Sequence, residues 1–119
     1  MHHTEKMDKS MQKAIEDCMT CSTMCEQTIA YCMDMPGAMM DAQMMRMMMD
    51  CAEISRLCAD MMSRMSPMHM EMSAMCMRAC MMCADMATSR MPDDAQMRKL
   101  AEMCRTCAES CRTMAGAAA

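Results

Sequence analysis

The chain is nearly devoid of aromatic residues: Tyr31 is the single one, and Phe and Trp are missing. It also lacks Val and has only two Leu (Leu57, Leu100) and three Ile (Ile15, Ile29, Ile54). With few β-branched residues, almost no aromatics and no period-two alternation, the chain has little material for β-strands. Two Gly and three Pro in 119 residues leave little for long loops, and a Gly-rich phosphate loop is excluded. No stretch of about 18 uncharged apolar residues occurs, so a membrane span is not expected. The first ten residues are polar and contain no apolar h-region, which argues for a cytoplasmic protein. Basic residues are scattered and outnumbered, for a net charge of −4 and a pI near 5.3, so nucleic acid is not an expected partner. The length suits one domain.

What the chain has instead is sulfur: 29 Met and 12 Cys. The cysteines fall as Cys18, Cys21, Cys25 and Cys32; Cys51 and Cys58; Cys76, Cys80 and Cys83; and Cys104, Cys107 and Cys111. Steps of three, four and seven keep side chains on one stripe of a helix. In an ordinary bundle that stripe carries Leu; here it carries thiols. Most of the methionines read as flexible replacements for Leu in a bundle core. A minority read as thioether ligands, since soft sulfur donors select Cu(I).

Breaks at Pro36-Gly37, Ser66-Pro67 and Met91-Pro92-Asp93-Asp94, with Gly116 near the end, divide the chain into four helices. The expected spans are 5–34, 38–65, 67–89 and 92–115, with Ser66 as an N-cap and Pro67 at a first helical position. Short connections make successive helices antiparallel. The expected fold class is therefore all-α, a single-domain up-down-up-down four-helix bundle with a Cys- and Met-lined core. Folding the hairpins brings Cys25 level with Cys51, Cys18 with Cys58, Cys58 with Cys76, Cys80 with Cys104, and Cys76 with Cys107. Lys13, Glu16, Asp17, Arg98, Lys99, Glu102, Arg105 and Glu109 lie mainly off the stripe and read as a solvated face.

Five chemistries are candidates for a row of thiols. Disulfides along one helix are opposed by geometry, because neighbours three or four apart have Cβ atoms about 5–6 Å apart and a disulfide needs about 3.5–4.5 Å. Structural zinc fits the Cys18/Cys21 and Cys104/Cys107 spacings, but zinc prefers isolated, closed sets of four. An iron–sulfur cluster needs a discrete cysteine set rather than a continuous row. A Cys-x2-Cys thiol redox motif belongs beside a βαβ pattern that this chain lacks, and no Ser-His-Asp set accompanies it, so an enzyme is not expected. Cu(I) answers the whole row: it is soft, accepts bridging thiolates, and neutralises buried thiolates one for one.

The segments Cys18-x2-Cys21-x3-Cys25, Asp50-Cys51-Ala52-Glu53-Ile54 and Ser66-Pro67-Met68-His69 resemble the four-helix-bundle copper storage proteins. So do Met97-Arg98 and the run from Cys104 to Gly116. The resemblance extends from about Met11 to Gly116, and the cytosolic branch is the nearer match. It implies a homotetramer of bundles, each storing many Cu(I) ions in its core, served by a copper donor or acceptor protein. Ala14, Ser55, Ser73, Ala87 and Leu100 fall on or beside the stripe where such proteins would carry further thiols.

The expected copper ligands are the twelve cysteines, joined by Met40, Met44 and Met48 at an entrance built from the first and third connections. His69, beside Met68 and Met70, marks a rival entrance at the other end. His2 and His3 read as part of a polar tail.

Overall fold

A computed structural model of the chain describes residues 8–35 and 41–116. They form four helices: α1 (Lys9–Met33), α2 (Ala42–Ser63), α3 (His69–Arg90) and α4 (Ala95–Ala115), with no strand among the described residues. Each helix packs on its sequence neighbour, and α4 returns to α1, so the four close a ring around one core. The bundle measures 51 × 25 × 19 Å.

The inward positions show why these sequences coil together. In α1 the buried residues include Met11, Ala14, Cys18, Cys21, Cys25, Thr28 and Cys32. These alternate steps of three and four without a break, the pattern that keeps a seam facing its partners along the whole helix. α2 continues it through Met48, Cys51, Ser55, Cys58 and Met62, and α3 through Ser73, Cys76, Cys80, Cys83 and Ala87. α4 supplies Met97, Leu100, Cys104, Cys107 and Cys111. Cysteines other than Cys32 therefore fill the middle of the tube, and thioethers, Leu100, small residues and Cys32 fill its ends.

Three helices begin at a capping aspartate. Asp8 accepts from the Met11 amide at 2.9 Å, Asp41 from the Gln43 amide at 2.9 Å, and Asp94 from the Met97 amide at 2.9 Å. Each satisfies an amide that has no partner inside the helix. The described part of α1 thus starts at Lys9 and α4 at Ala95, inside the expected spans. α3 also differs from expectation. It starts at His69, two residues after Pro67, and its flanking residue Met68 makes no side-chain cap. The Ser66 hydroxyl instead accepts from the Met68 amide at 3.1 Å, closing a turn ahead of the helix.

α2 ends in a Schellman arrangement. The Ser66 amide donates to the Met61 carbonyl at 2.9 Å and the Met65 amide to that of Met62 at 3.1 Å. Met65 takes the left-handed position with φ 55°, which is usually left to Gly. Gly116, at φ 54°, ends α4, and a Cβ there would come within 3.1 Å of the Met70 side chain. The end of α4 thus lies against the start of α3. At the opposite end the sole aromatic residue ties two helices: the Tyr31 hydroxyl donates to the Asp94 carboxylate at 2.6 Å.

Candidate metal centre

All twelve cysteines are buried and none is in a disulfide. Ten of their sulfur atoms gather in three groups, in each of which every sulfur lies within 4.8 Å of the others. One is Cys18, Cys58, Cys76 and Cys111; a second is Cys21, Cys25, Cys51 and Cys104; the third is Cys21, Cys80 and Cys107. The first two groups draw on three or four helices each, so the site exists only once the bundle has closed. Cys21 belongs to two groups, and Cys107 approaches Cys18 at 3.7 Å, which joins the groups into one row. The expected pairings of Cys25 with Cys51, Cys18 with Cys58, and Cys58 with Cys76 each fall inside one group. Cys76 also senses Cys107, and Cys80 senses Cys104. Cys83 interacts with Cys104, Cys25 and Cys51 at the edge of the second group.

Cys32 stands apart from the groups, buried near Asp94. Burial and, after it, the Asp94 charge push its thiol up. The other expected donors flank the row. Met44 and Met48 are buried at the end that holds Cys32, and Met97 joins them there. Met40 lies outside the described residues. His69 is half-buried at the far end, and its Nδ1 is enclosed without a hydrogen-bond partner.

The spacing of the sulfurs suits a metal. Cross-helix Sγ···Sγ distances include 3.5 Å for Cys18–Cys111, 3.8 Å for Cys51–Cys80 and 3.9 Å for both Cys21–Cys80 and Cys21–Cys104. The centre of a triangle of that size is about 2.2 Å from each corner, close to the ~2.3 Å of a zinc–thiolate bond. An ion would thus need little movement of the helices.

The protons are unevenly held. Donation from neighbouring thiols lowers Cys21 (from Cys104, Cys107 and Cys25) and Cys76 (from Cys107, Cys111 and Cys18), against the opposing pull of burial. Cys83 is lowered in the same way by Cys104, Cys25 and Cys51. Cys18, Cys25 and Cys80 are pushed up by the thiols around them and then by burial. Lowered thiols, Cys21 and Cys76, thus sit beside raised ones, Cys18, Cys25 and Cys80.

Charge decides which cation fits. The buried polar side chains among the described residues are Ser22, Thr28, Ser55 and Ser73; no Lys or Arg is buried with the thiols. A divalent ion on four thiolates leaves a net charge of −2. Two such sites would place several uncompensated charges in a core without cations, at a cost of several kcal/mol or more. A monovalent soft ion on each thiolate leaves none. The donor set therefore fits Cu(I) better than zinc.

A closed helical bundle with a continuous thiol interior defines a protein that takes up many soft monovalent ions. The profile of the family described as Copper storage protein matches residues 7–116, and the chain belongs to that family. No curated protein matches the sequence. Among solved structures, the Cu(I)-bound copper storage protein of Bacillus subtilis is 28% identical, covers 91% of this chain and 100% of its own, and superposes with a TM-score of 0.84. A protein from Nitrosospira multiformis is 29% identical, with 91% and 96% of the two chains covered and a TM-score of 0.83. A cytosolic copper storage protein from Streptomyces lividans, described with five coppers, is 24% identical, with 90% and 92% covered and a TM-score of 0.83; that likeness is one of fold.

Two features escaped the sequence. The residue spacing carries no sign that the His69 imidazole is enclosed at Nδ1, and it puts Ser55 and Ser73 on or beside the stripe without revealing their contacts with particular sulfurs. Their place on the heptad stripe was the available signal.

Proposed function

We propose that this protein stores copper as Cu(I), on the order of one ion per cysteine, in a continuous thiolate core. The observation that carries the reading is the single row of buried thiols, linked through Cys21 and Cys107, in a core without a buried cation. Copper ions are the cargo, and no catalytic step is assigned to the site. Each arriving Cu(I) replaces a thiol proton, so loading releases protons. The thiolates of the three groups, with Cys83 at their edge, hold the bulk of the copper.

Copper enters at the end formed by the first and third connections. Cys32, Met44, Met48 and Met97 are soft donors buried there, and Met40 belongs to the connection itself. Thioethers carry no charge and hold Cu(I) less firmly than thiolates, so ions pass inward to stronger sites and can still leave. A second reading places the entrance at His69, whose enclosed Nδ1 has no partner and is free to ligate.

The compartment is the cytoplasm, where twelve free thiols stay reduced. No helix among the described residues is long and apolar enough to cross a membrane. The assembly is a homotetramer, with Met75 and Met82 of α3 and the flanking Met68, exposed at seven-residue steps, as a surface that other copies would cover.

Titration of the reduced protein with Cu(I) against a chromophoric chelator tests the storage reading. The expected endpoint is many ions per chain, approaching the number of cysteines. An endpoint of one or two ions would replace it with a discrete site.

A further inference from the structure

Three helices carry three cysteines within one seven-residue step: Cys18, Cys21 and Cys25; Cys76, Cys80 and Cys83; Cys104, Cys107 and Cys111. α2 carries only Cys51 and Cys58, with Ser55 on the same inward stripe between them. Ser55 is fully buried, with its hydroxyl 3.7 Å from the Cys76 sulfur and 3.8 Å from that of Cys80. Ser73, one turn before Cys76, is also fully buried, and its hydroxyl is 3.7 Å from the Cys58 sulfur. All three contacts lie on the α2–α3 side of the core.

The two other buried hydroxyls among the described residues are spent on backbone oxygen. Ser22 donates to the Ala52 carbonyl at 2.8 Å and Thr28 to the Met24 carbonyl at 2.7 Å. Ser55 and Ser73 face sulfur instead. A neutral thiol is a weak acceptor, so these hydroxyls are poorly used in the reduced, metal-free protein. When a sulfur exchanges its proton for Cu(I) it gains anionic character, and a hydrogen bond to a charged acceptor is roughly twice as strong as one to a neutral one. A hydroxyl oxygen is too hard to compete as a Cu(I) ligand. Its O–H can still stabilise the sulfur beside it.

We infer that Ser55 and Ser73 are hydrogen-bond donors to copper-bound thiolates, Ser55 to Cys76 or Cys80 and Ser73 to Cys58, and that they make the α2–α3 side of the core its tightest part. They are positioning residues that act through the sulfur, not copper ligands. The inference rests on the Cu(I) storage reading.

Chelator competition on S55A/S73A, on each single variant, and on S55C tests it beside the wild type. S55A/S73A keeps the wild-type endpoint, because no thiol is lost, but yields its tightest-held ions to the chelator about tenfold more readily. Each single variant shows a smaller shift in the same direction. The copper-loaded double variant melts below the loaded wild type, while the two reduced metal-free forms melt together. S55C restores the α2 triplet and raises the endpoint by about one ion per chain. Equal retention in S55A/S73A and wild type overturns the inference, as does an equal loss of stability with and without copper, which would mark the hydroxyls as packing groups. A wild type that takes up only one or two ions defeats the storage reading itself, a result visible before any variant is compared.

Discussion

Cys18 and Cys111 are 93 positions apart in the chain, and their sulfurs stand 3.5 Å apart between α1 and α4. No turn or local motif brings the two together; the contact exists because α4 returns along α1. The pair also belongs to a group with Cys58 and Cys76, so one end of the thiol row depends on it. Replacing both by Ala is expected to lower the Cu(I) endpoint by about two ions per chain. The bundle itself should survive, since each change removes one buried heavy atom at about 1 kcal/mol. Copper titration and circular dichroism of the double variant check this; an unchanged endpoint would place the copper elsewhere.

Acid and base should act in opposite directions on the loaded and metal-free forms. Cys18, Cys25 and Cys80 are raised by neighbouring thiols and burial, and Cys32 by burial and Asp94. A raised folded-state pKa means that the folded chain holds protons which the unfolded chain gives up above about pH 8.5. Their contribution is full below that pH and is lost as pH rises toward the folded values. Cys21, Cys76 and Cys83 oppose this but are fewer. The reduced metal-free protein is therefore expected to lose stability on going from about pH 8 to pH 10. The loaded protein should instead surrender copper as pH falls below neutral, because protons compete for the thiolates. Denaturant melts of the first and chelator transfer from the second, across pH, provide the measurements.

The four helices were legible because three proline breaks divide a chain whose inward residues step by three and four. The thiol stripe was legible for the same reason. What escaped was local. Asp8, Asp41 and Asp94 set where three helices begin, but an aspartate before a helix looks like any surface charge, and Asp93 competes with Asp94 on sequence alone. Ser66-Pro67 suggested a helix start that the chain delays to His69, because Ser66 closes a turn first. The α2 end carries no glycine signal, since Met65 itself takes the left-handed position. Hairpin folding gave the level of each cysteine. The sharing of Cys21 between groups depends on rotation of each helix about its axis, which spacing does not encode.

Asp94 performs two tasks, capping α4 through the Met97 amide and accepting the Tyr31 hydroxyl. Burial pushes its carboxyl up, but the Tyr31 hydroxyl and the Met97 and Gln96 amides outweigh that and leave it below the usual range. A lowered folded-state value gives stability that is present above about pH 4 and lost as pH falls through it. D94A should destabilise the bundle by about 1 kcal/mol, the ordinary worth of a side-chain cap. D94N, which retains an acceptor oxygen, should lose less and should remove this group's share of the acid sensitivity. Urea melts at pH 7 and pH 3 separate the cap from the charge; identical curves for D94A and wild type would deny both tasks.

The reduced metal-free protein is expected to be helical already. Neutral Cys packs as a small hydrophobe, and Met is a good helix former. The helices are also capped by their own side chains: Asp8, Asp41 and Asp94 supply that at three starts. Copper should add thermal stability by binding the folded form, not by creating it. A far-ultraviolet spectrum of the reduced chain in the presence of a copper chelator is the check. A coil spectrum that turns helical on Cu(I) addition would refute the expectation.

The two ends of the bundle make different claims on incoming copper. Met44, Met48 and Met97 are nearly fully buried at the end that holds Cys32, whereas His69 has an enclosed, unpartnered nitrogen at the other. Replacing Met40, Met44 and Met48 with Leu keeps apolar volume and removes three soft donors, at a cost below about 1.5 kcal/mol for each exchange. If copper enters there, loading from a weak Cu(I) donor should slow several-fold while the endpoint falls little, because the thiolates remain. H69A should then load at the wild-type rate. The reverse result, a normal rate in the methionine variant and a slow one in H69A, would move the entrance to the start of α3. Stopped-flow uptake at matched donor concentration distinguishes the two, and the final copper count of each variant shows whether rate or capacity has changed.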